Sequence, residues 1–448
     1  MYAGTAKTDI TPQRSVRMDG MVRAHGSTGV HDPLYARALV LSDSRDLSAA
    51  FALISVQVCA IGSEDAASVR QQASARTGIP ADRIVVAAHH NHSGPATHGF
   101  FDPAETAYIE ELLGKLASLV ADAAGSLEPC VVCCGSAQNE GISEYRRLLA
   151  KDGQVVMNWE PYSPGDIVRV LGVADPEVRV CKIVAADDPP AQAAQPGRAG
   201  RVICLLFNHA VHPNVLSGDN YLLSGEFTGL AERLLEAEFG GAAIFVNGAQ
   251  GSIDVDGHAP RDWDEMERLG RLLAASAAEA ARDAEPGADT GLQVARVAYT
   301  VPRRRVSPEE RRWAEGILAR TGGTITPMAD GVGEDYVALL LRGIWEAAGQ
   351  AIPVEQTCFA VGGWAWITFP GELYTEIGLR IKAASPFAHT FVVGLADGYM
   401  GYVPTRQAIA EGGYAEDTRH VDAAAEDVIT EHSLSLLRSI YADQTKLE

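Results

Sequence analysis

The chain has 448 residues, 47% of them hydrophobic and 21% charged, with 22 prolines; this composition excludes wholesale disorder and collagen-like repeats and fits a globular enzyme. Lys and Arg number 37 against 58 Asp and Glu, a formal charge of −21 with no basic run anywhere, which argues against nucleic acid as a partner. The most apolar stretch, 49–61, is interrupted by Ser55 and Gln57 and falls short of the roughly 18 apolar residues a membrane helix needs, so no membrane insertion is expected.

From the amino terminus, Met1 to Lys7 runs into a strand-like segment with no basic-then-apolar leader. Together with seven scattered cysteines, which suit a reducing compartment, this predicts a cytoplasmic protein. Apolar, β-branched runs predict strands over 37–41, 51–58 and 84–88, followed by an amphipathic helix over 104–124. Further strands are predicted over 178–184, 202–207, 242–246, 358–361, 364–369 and 390–393. Helical spacing marks 227–239, 262–283, 308–320, 373–382 and 423–441. The alternation predicts an α/β protein of mixed β-sheets flanked by helices. The segment 187–200, rich in Ala, Pro, Gly and Gln, reads as an exposed loop, and 322–333 as a second glycine-rich connection. Candidate functional residues are spread from position 90 to position 414, so a single domain over 1–448 is expected.

The sharpest local feature is His89-His90-Asn91-His92-Ser93-Gly94-Pro95, directly after the strand over 84–88. In extended chain, residues i and i+2 share a face, so His90 and His92 are expected to point together into a cleft while His89 points away. Two imidazoles at a strand end are half a zinc site; a lone HxH is equally a polar turn whose histidines only hydrogen-bond. A second pair, His209 and His212, follows the strand over 202–207, and this recurrence at strand exits favours a metal. Glu372, in Pro370-Gly371-Glu372, sits at a strand-to-helix turn, a place where the helix dipole alone also favours an acid. The loop from Asn247 to Asp256 has glycines for close approach to a ligand but not the lysine or spacing of a phosphate loop. Cys130 and Cys133 have metal-ligand spacing, yet with Val131 and Val132 between them and no second CxxC they read as a buried strand.

Taken in order, these motifs resemble those of the neutral, non-lysosomal ceramidases and their shorter bacterial relatives. The resemblance rests on Ala3 to Pro12, His31 to Leu41, His90 to Pro95, Val211 to Pro213, Pro370 to Glu372 and Tyr399 to Thr405, and it covers most of the chain. It implies a zinc held by His90, His212, Glu372 and Tyr402, with His92 as proton shuttle or supporting group. It also gives Arg146 and Tyr414 the role of stabilising an oxyanion. Such a ligand set leaves room for a water or a substrate oxygen, and zinc lowers the pKa of that water toward about 7. Two departures bear on substrate and mechanism. The ceramidases place a nucleophilic serine in a Gly-x-x-Ser loop, whereas the equivalent Gly251-Ser252-Ile253-Asp254 puts Asp254 at that position. Attack by metal-activated water, with Asp254 as an acid-base candidate and Ser252 uninvolved, is then the simpler route. The ceramidases also carry an additional carboxy-terminal immunoglobulin-like domain, which is not expected here.

The expected function is a zinc-dependent hydrolase cleaving an amide (N-acyl) bond of a small, polar, soluble substrate. Strong acidity without a basic docking helix weighs against extracting a lipid from an anionic surface. Asp254 and Asp256 favour hydroxyl-rich or cationic groups, whereas a long apolar groove beside the metal would mark a lipid amidase. The ligand set equally suits an ester or lactone hydrolase. A catalytically silent metal binder is disfavoured by the retention of His92, Arg146 and Tyr414. The sequence is silent on oligomeric state.

Overall fold

The computed structural model describes residues 1–101, 103–186, 200–287 and 291–444. The loop expected over 187–200 lies, except for Gly200, outside the described residues. The larger layer is a mixed sheet in the order Ala242–Asn247, Val202–His209, Glu177–Ala185, Glu128–Gln138, Tyr2–Asp9, Tyr35–Ser42, Phe51–Val56 and Ile84–Ala88, with Glu285–Pro286 pairing to Glu128–Gln138. The outermost pair at each end is parallel, and the pairs between them are antiparallel.

Helices α1 (Ser63–Thr77), α2 (Thr106–Gly125), α3 (Glu226–Phe239) and α4 (Trp263–Arg282) clothe this sheet. A parallel pair needs a crossover. Helix α1 supplies it between Phe51–Val56 and Ile84–Ala88, and α3 between Val202–His209 and Ala242–Asn247. Strands covered on both faces are apolar at every position rather than alternating. That is why Phe51–Val56 and Ile84–Ala88, buried throughout, stand out in the sequence.

A second sheet, in the order Leu292–Val301, Ile352–Val361, Trp364–Thr368 and His389–Val393, packs on the first. Four rings form the contact: Phe51 lies 4.1 Å from Phe359, Phe359 4.8 Å from Trp366, and Trp366 4.5 Å from Phe391. Emptying such a position, as in Trp366→Ala, costs about 3–5 kcal/mol. Helices α5 (Pro308–Thr321) and α6 (Glu334–Glu346) form a hairpin around Ala314, Ile317, Ala338 and Leu341. Helix α7 (Thr375–Ala384) and the helix Ala425–Gln444 cover the second sheet.

Nearly all the expected elements are present within a few residues. Helices α1 and α6 are additions, as are the strand Leu292–Val301 and the short helices Arg406–Glu411 and Tyr414–Asp417. The buried face of α1 is Ala66, Val69, Arg70 and Ala73, so it carries too little apolar bulk to show a stripe. Helix α6 opens directly after Gly333, where the glycine-rich connection masks its start.

The large sheet curls until its edges meet. Ser55 Oγ donates to the Phe245 carbonyl, and Asn247 Nδ2 donates to the His89 carbonyl at 2.9 Å. The carboxyl ends of Ile84–Ala88, Val202–His209 and Ala242–Asn247 thereby converge at one place, the usual location of a site in an open α/β sheet.

Candidate metal centre and active site

His90 leaves its strand with φ 70°. The expectation that His90 and His92 share a face through strand alternation is therefore corrected: the strand ends at Ala88, and a left-handed turn at His90 brings the two rings together. Their Nε2 atoms lie 3.3 Å apart. His89 does point away, with Nε2 2.9 Å from Ser55 Oγ and Nδ1 3.2 Å from Thr228 Oγ1.

Residues from three chain segments meet at His90 Nε2. His212 Nε2 is 3.2 Å away and Glu372 Oε2 is 3.4 Å away. Glu372 reaches this point because Glu372–Leu373, just beyond Trp364–Thr368, pairs in parallel with Tyr402–Val403. Its Oε1 accepts a hydrogen bond from Tyr399 Oη at 2.6 Å, whereas Oε2 has no hydrogen-bond partner. Two glycines permit the approach. A Cβ on Gly20, whose φ is 92°, would lie 2.4 Å from His92 Cγ, and one on Gly251 would lie 2.4 Å from the Glu372 carbonyl oxygen.

This donor set fits a cation. His90 Nδ1 lies 3.2 Å from the Cys59 carbonyl, which can only accept, so Nδ1 is the donor there and Nε2 is the ring nitrogen turned to the centre. Burial, reinforced by the His90 ring, holds His92 and His212 well below the usual imidazole range and keeps them neutral. Burial opposes ionisation of Glu372, but His90, Arg146 and Tyr399 outweigh it and hold the carboxyl below its usual range. Several lone pairs therefore face one another in a buried space, an arrangement that a positive ion relieves. Ligand atoms about 2.0–2.1 Å from a tetrahedral zinc stand roughly 3.3–3.4 Å from each other, close to the 3.2 Å and 3.4 Å that separate His212 Nε2 and Glu372 Oε2 from His90 Nε2. A second group, Cys59, His90 and His92, also lies within ligating distance. Burial raises the Cys59 thiol well above its ordinary pKa, so it is a poor thiolate donor. Among the described residues no such group includes Cys130 or Cys133, and both are buried on Glu128–Gln138. His209 stands apart, with Nδ1 3.0 Å from the Glu177 carbonyl.

Asn247 was not singled out by the sequence. Its Nδ2 donates to the carbonyls of His89 and Val211, both at 2.9 Å, and its Oδ1 accepts from Val211 N at 3.1 Å. One carboxamide thus fastens the residues immediately preceding His90 and His212.

The centre opens into a cavity of about 540 Å³, with His90, His92, Glu372, Tyr402 and Tyr414 at its floor. Neither Arg146 nor Asp254 lines it. The Arg146 guanidinium carbon lies 4.9 Å from the Tyr402 ring centroid and 5.6 Å from that of Tyr414, and Arg146 Nη1 is 3.9 Å from Asp254 Oδ2. Arg146 Nη2 donates to the Gly251 carbonyl at 2.7 Å. Ser252 is fully buried; its Oγ donates to Glu376 Oε2 and accepts from Thr375 N, both at 3.0 Å, so it anchors the start of α7. Phe100, Tyr336, Leu339, Leu340 and Ile352 also line the cavity, which is more apolar than the sequence led us to expect.

No protein-family model and no curated protein sequence matches the chain. Solved structures do, two of which are ceramidases. Neutral ceramidase from Pseudomonas aeruginosa superposes with a TM-score of 0.72 at 18% identity, over 97% of this chain and 74% of that one. A structure described as ceramidase complexed with C2 gives 0.73 at 18% identity, over 99% and 75%. This chain has the neutral ceramidase fold. The likeness extends over nearly the whole chain. Among the described residues no helix is long and apolar enough to cross a membrane.

Proposed function

We propose that the protein is a zinc-dependent hydrolase that cleaves the amide (N-acyl) bond of a small substrate. The observation that carries this reading is the convergence of His90 Nε2, His212 Nε2 and the unpartnered Glu372 Oε2, with His90 and Glu372 lining a cavity. His90, His212 and Glu372 would hold the ion, with Tyr402 beside them. Bound zinc supplies Lewis acidity, polarising a carbonyl oxygen and making a water nucleophilic near neutral pH. In the reaction the water oxygen joins the acyl carbon, the C–N bond breaks and a proton passes to the departing nitrogen. His92, neutral and at the cavity floor, is placed to carry that proton. The Tyr414 hydroxyl is the donor for the developing oxyanion. Arg146 stands behind Tyr402 and Tyr414 as a fixed positive charge, and Asp254 positions Arg146 rather than meeting substrate. Ser252, committed to Thr375 and Glu376, takes no covalent role.

The apolar walls favour a substrate with an apolar arm over the wholly polar one expected from Asp254 and Asp256, since neither aspartate lines the cavity. The fold shared with the ceramidases supports an amide as the scissile bond. The reading is tested by incubating zinc-loaded protein with a panel of N-acyl compounds and following amine release. Turnover that chelation abolishes and zinc restores is the expected result; metal-bound protein inert toward the whole panel would contradict it.

A further inference from the structure

The cavity departs from the acidity of the rest of the molecule. The chain carries −21 formal charges, yet among the described residues the sole carboxylate on the cavity wall is Glu372, at the metal centre. Arg303 also lines the cavity, as do His98 and His420. The Nε of Arg303 donates to the Gln350 carbonyl at 3.1 Å. Among the described residues no carboxylate comes within ion-pairing distance of its guanidinium, whereas Arg296 pairs with Asp397 and Arg304 with Glu310.

The order of groups along the wall can be followed from contact to contact. Glu372 accepts from the Tyr399 hydroxyl, and the Tyr399 ring lies 5.0 Å from the His98 ring. His420 packs against Gly401, where an added Cβ would come 3.0 Å from its Cδ2. The His420 carbonyl accepts from Arg304 N, which sets Arg303 beside it. Burial and the charge of Arg303 hold the His420 imidazole down to about 4, so it stays a neutral hydrogen-bonding group there. Leu339, Leu340 and Ile352 share the cavity with Arg303. A cation whose carboxylate partner is missing, reached along an apolar wall, is a receptor for an anion at the end of an apolar arm.

We infer that the substrate is an amide whose apolar arm ends in an anionic group, held by Arg303 with His420 beside it. The inference rests on the hydrolase reading above. It also assigns the arm to the side of the cavity walled by α6.

The test pairs two anilides that differ only at the far end of the arm, octanedioic acid monoanilide and octananilide. The zinc-loaded protein should favour the acid at least 10-fold in kcat/KM. In Arg303→Gln that preference should fall at least 10-fold, mainly through KM, and Arg303→Lys should keep most of it. Arg303 is half-buried and makes one backbone hydrogen bond, so these variants should fold. Calorimetry with octanedioate alone reads the same subsite without catalysis, and Arg303→Gln should weaken it at least 10-fold. Turnover of both anilides without preference, or a preference unchanged in Arg303→Gln, overturns the inference. No turnover of either anilide with octanedioate still bound through Arg303 removes the hydrolase reading and leaves the anion subsite standing.

Discussion

The Nε2 atoms of His90 and His212 lie 3.2 Å apart although 122 residues separate them in the chain. Each stands just past the carboxyl end of a strand, and these strands lie toward opposite ends of one sheet. Curling of that sheet is what makes the pair.

The two histidines adjacent in sequence should behave oppositely. His90→Ala is expected to lose the metal. His89→Ala and His209→Ala should retain it, because their rings bind Ser55, Thr228 and the Glu177 carbonyl instead. Metal content of the purified variants decides this. Loss in His89→Ala with retention in His90→Ala would show that the assignment is off by one residue.

Asn247 should matter to the metal more than to the fold. Removing its side chain leaves the His89 and Val211 carbonyls without their partner, at a cost on the order of 3 kcal/mol. Slack in the two histidine loops should weaken zinc binding about 10-fold or more in Asn247→Ala. Asn208→Ala is the matched control, since Asn208 bonds the Val246 and Val392 carbonyls and neither histidine loop. It should lose comparable stability but keep its zinc affinity within about 3-fold; equal weakening of zinc in both would reduce Asn247 to a purely structural role.

Ser252 and Asp254 separate by readout. Ser252→Ala leaves Thr375 N without its acceptor, so about 1–3 kcal/mol of stability should go while kcat stays within about 3-fold. Asp254→Asn should keep the zinc and lower kcat about 10-fold by loosening Arg146, with KM little changed. An acyl adduct on Ser252, found by mass spectrometry of stalled enzyme, contradicts this account.

Asp19 ties down the cavity wall, with Oδ2 accepting from His98 N and Gly99 N and Oδ1 accepting from Phe100 N. Burial outweighs these donors and raises its carboxyl from 3.8 to about 6. Between those values the folded state binds more protons than the unfolded state, so stability falls as pH rises through this window and is level above it. The span is on the order of 3 kcal/mol. Urea unfolding of wild type and Asp19→Asn at pH 4 and pH 7 should show wild type losing most of that amount relative to the variant. A difference that does not change with pH would contradict the reading.

Fold class and most strands were legible because doubly covered strands such as Ile84–Ala88 leave unbroken apolar runs. The histidine loops were legible because polar residues follow those runs directly. Other parts depend on contacts between distant segments. Cys59 lies inside an apolar stretch and gives no signal of its own, although its carbonyl fixes the tautomer of His90. Asn247 is one polar residue at a strand end, and only the curl of the sheet gives it two loops to join. The apolar wall on α6 could not be foreseen, because nothing in its sequence says that it faces the centre. Asp254, read from its position in a motif, lies behind Arg146 because Ile253–Asp254 pairs with Glu144–Tyr145 away from the cavity.

Crystallographic anomalous scattering at the zinc edge, on protein purified without chelator and supplied with zinc, tests the central claim most directly. The account predicts one peak, within about 2.0–2.2 Å of His90 Nε2, His212 Nε2 and Glu372 Oε2 and adjoining the Tyr402 hydroxyl. No peak at this position, or a peak at Cys130 and Cys133 instead, would contradict it.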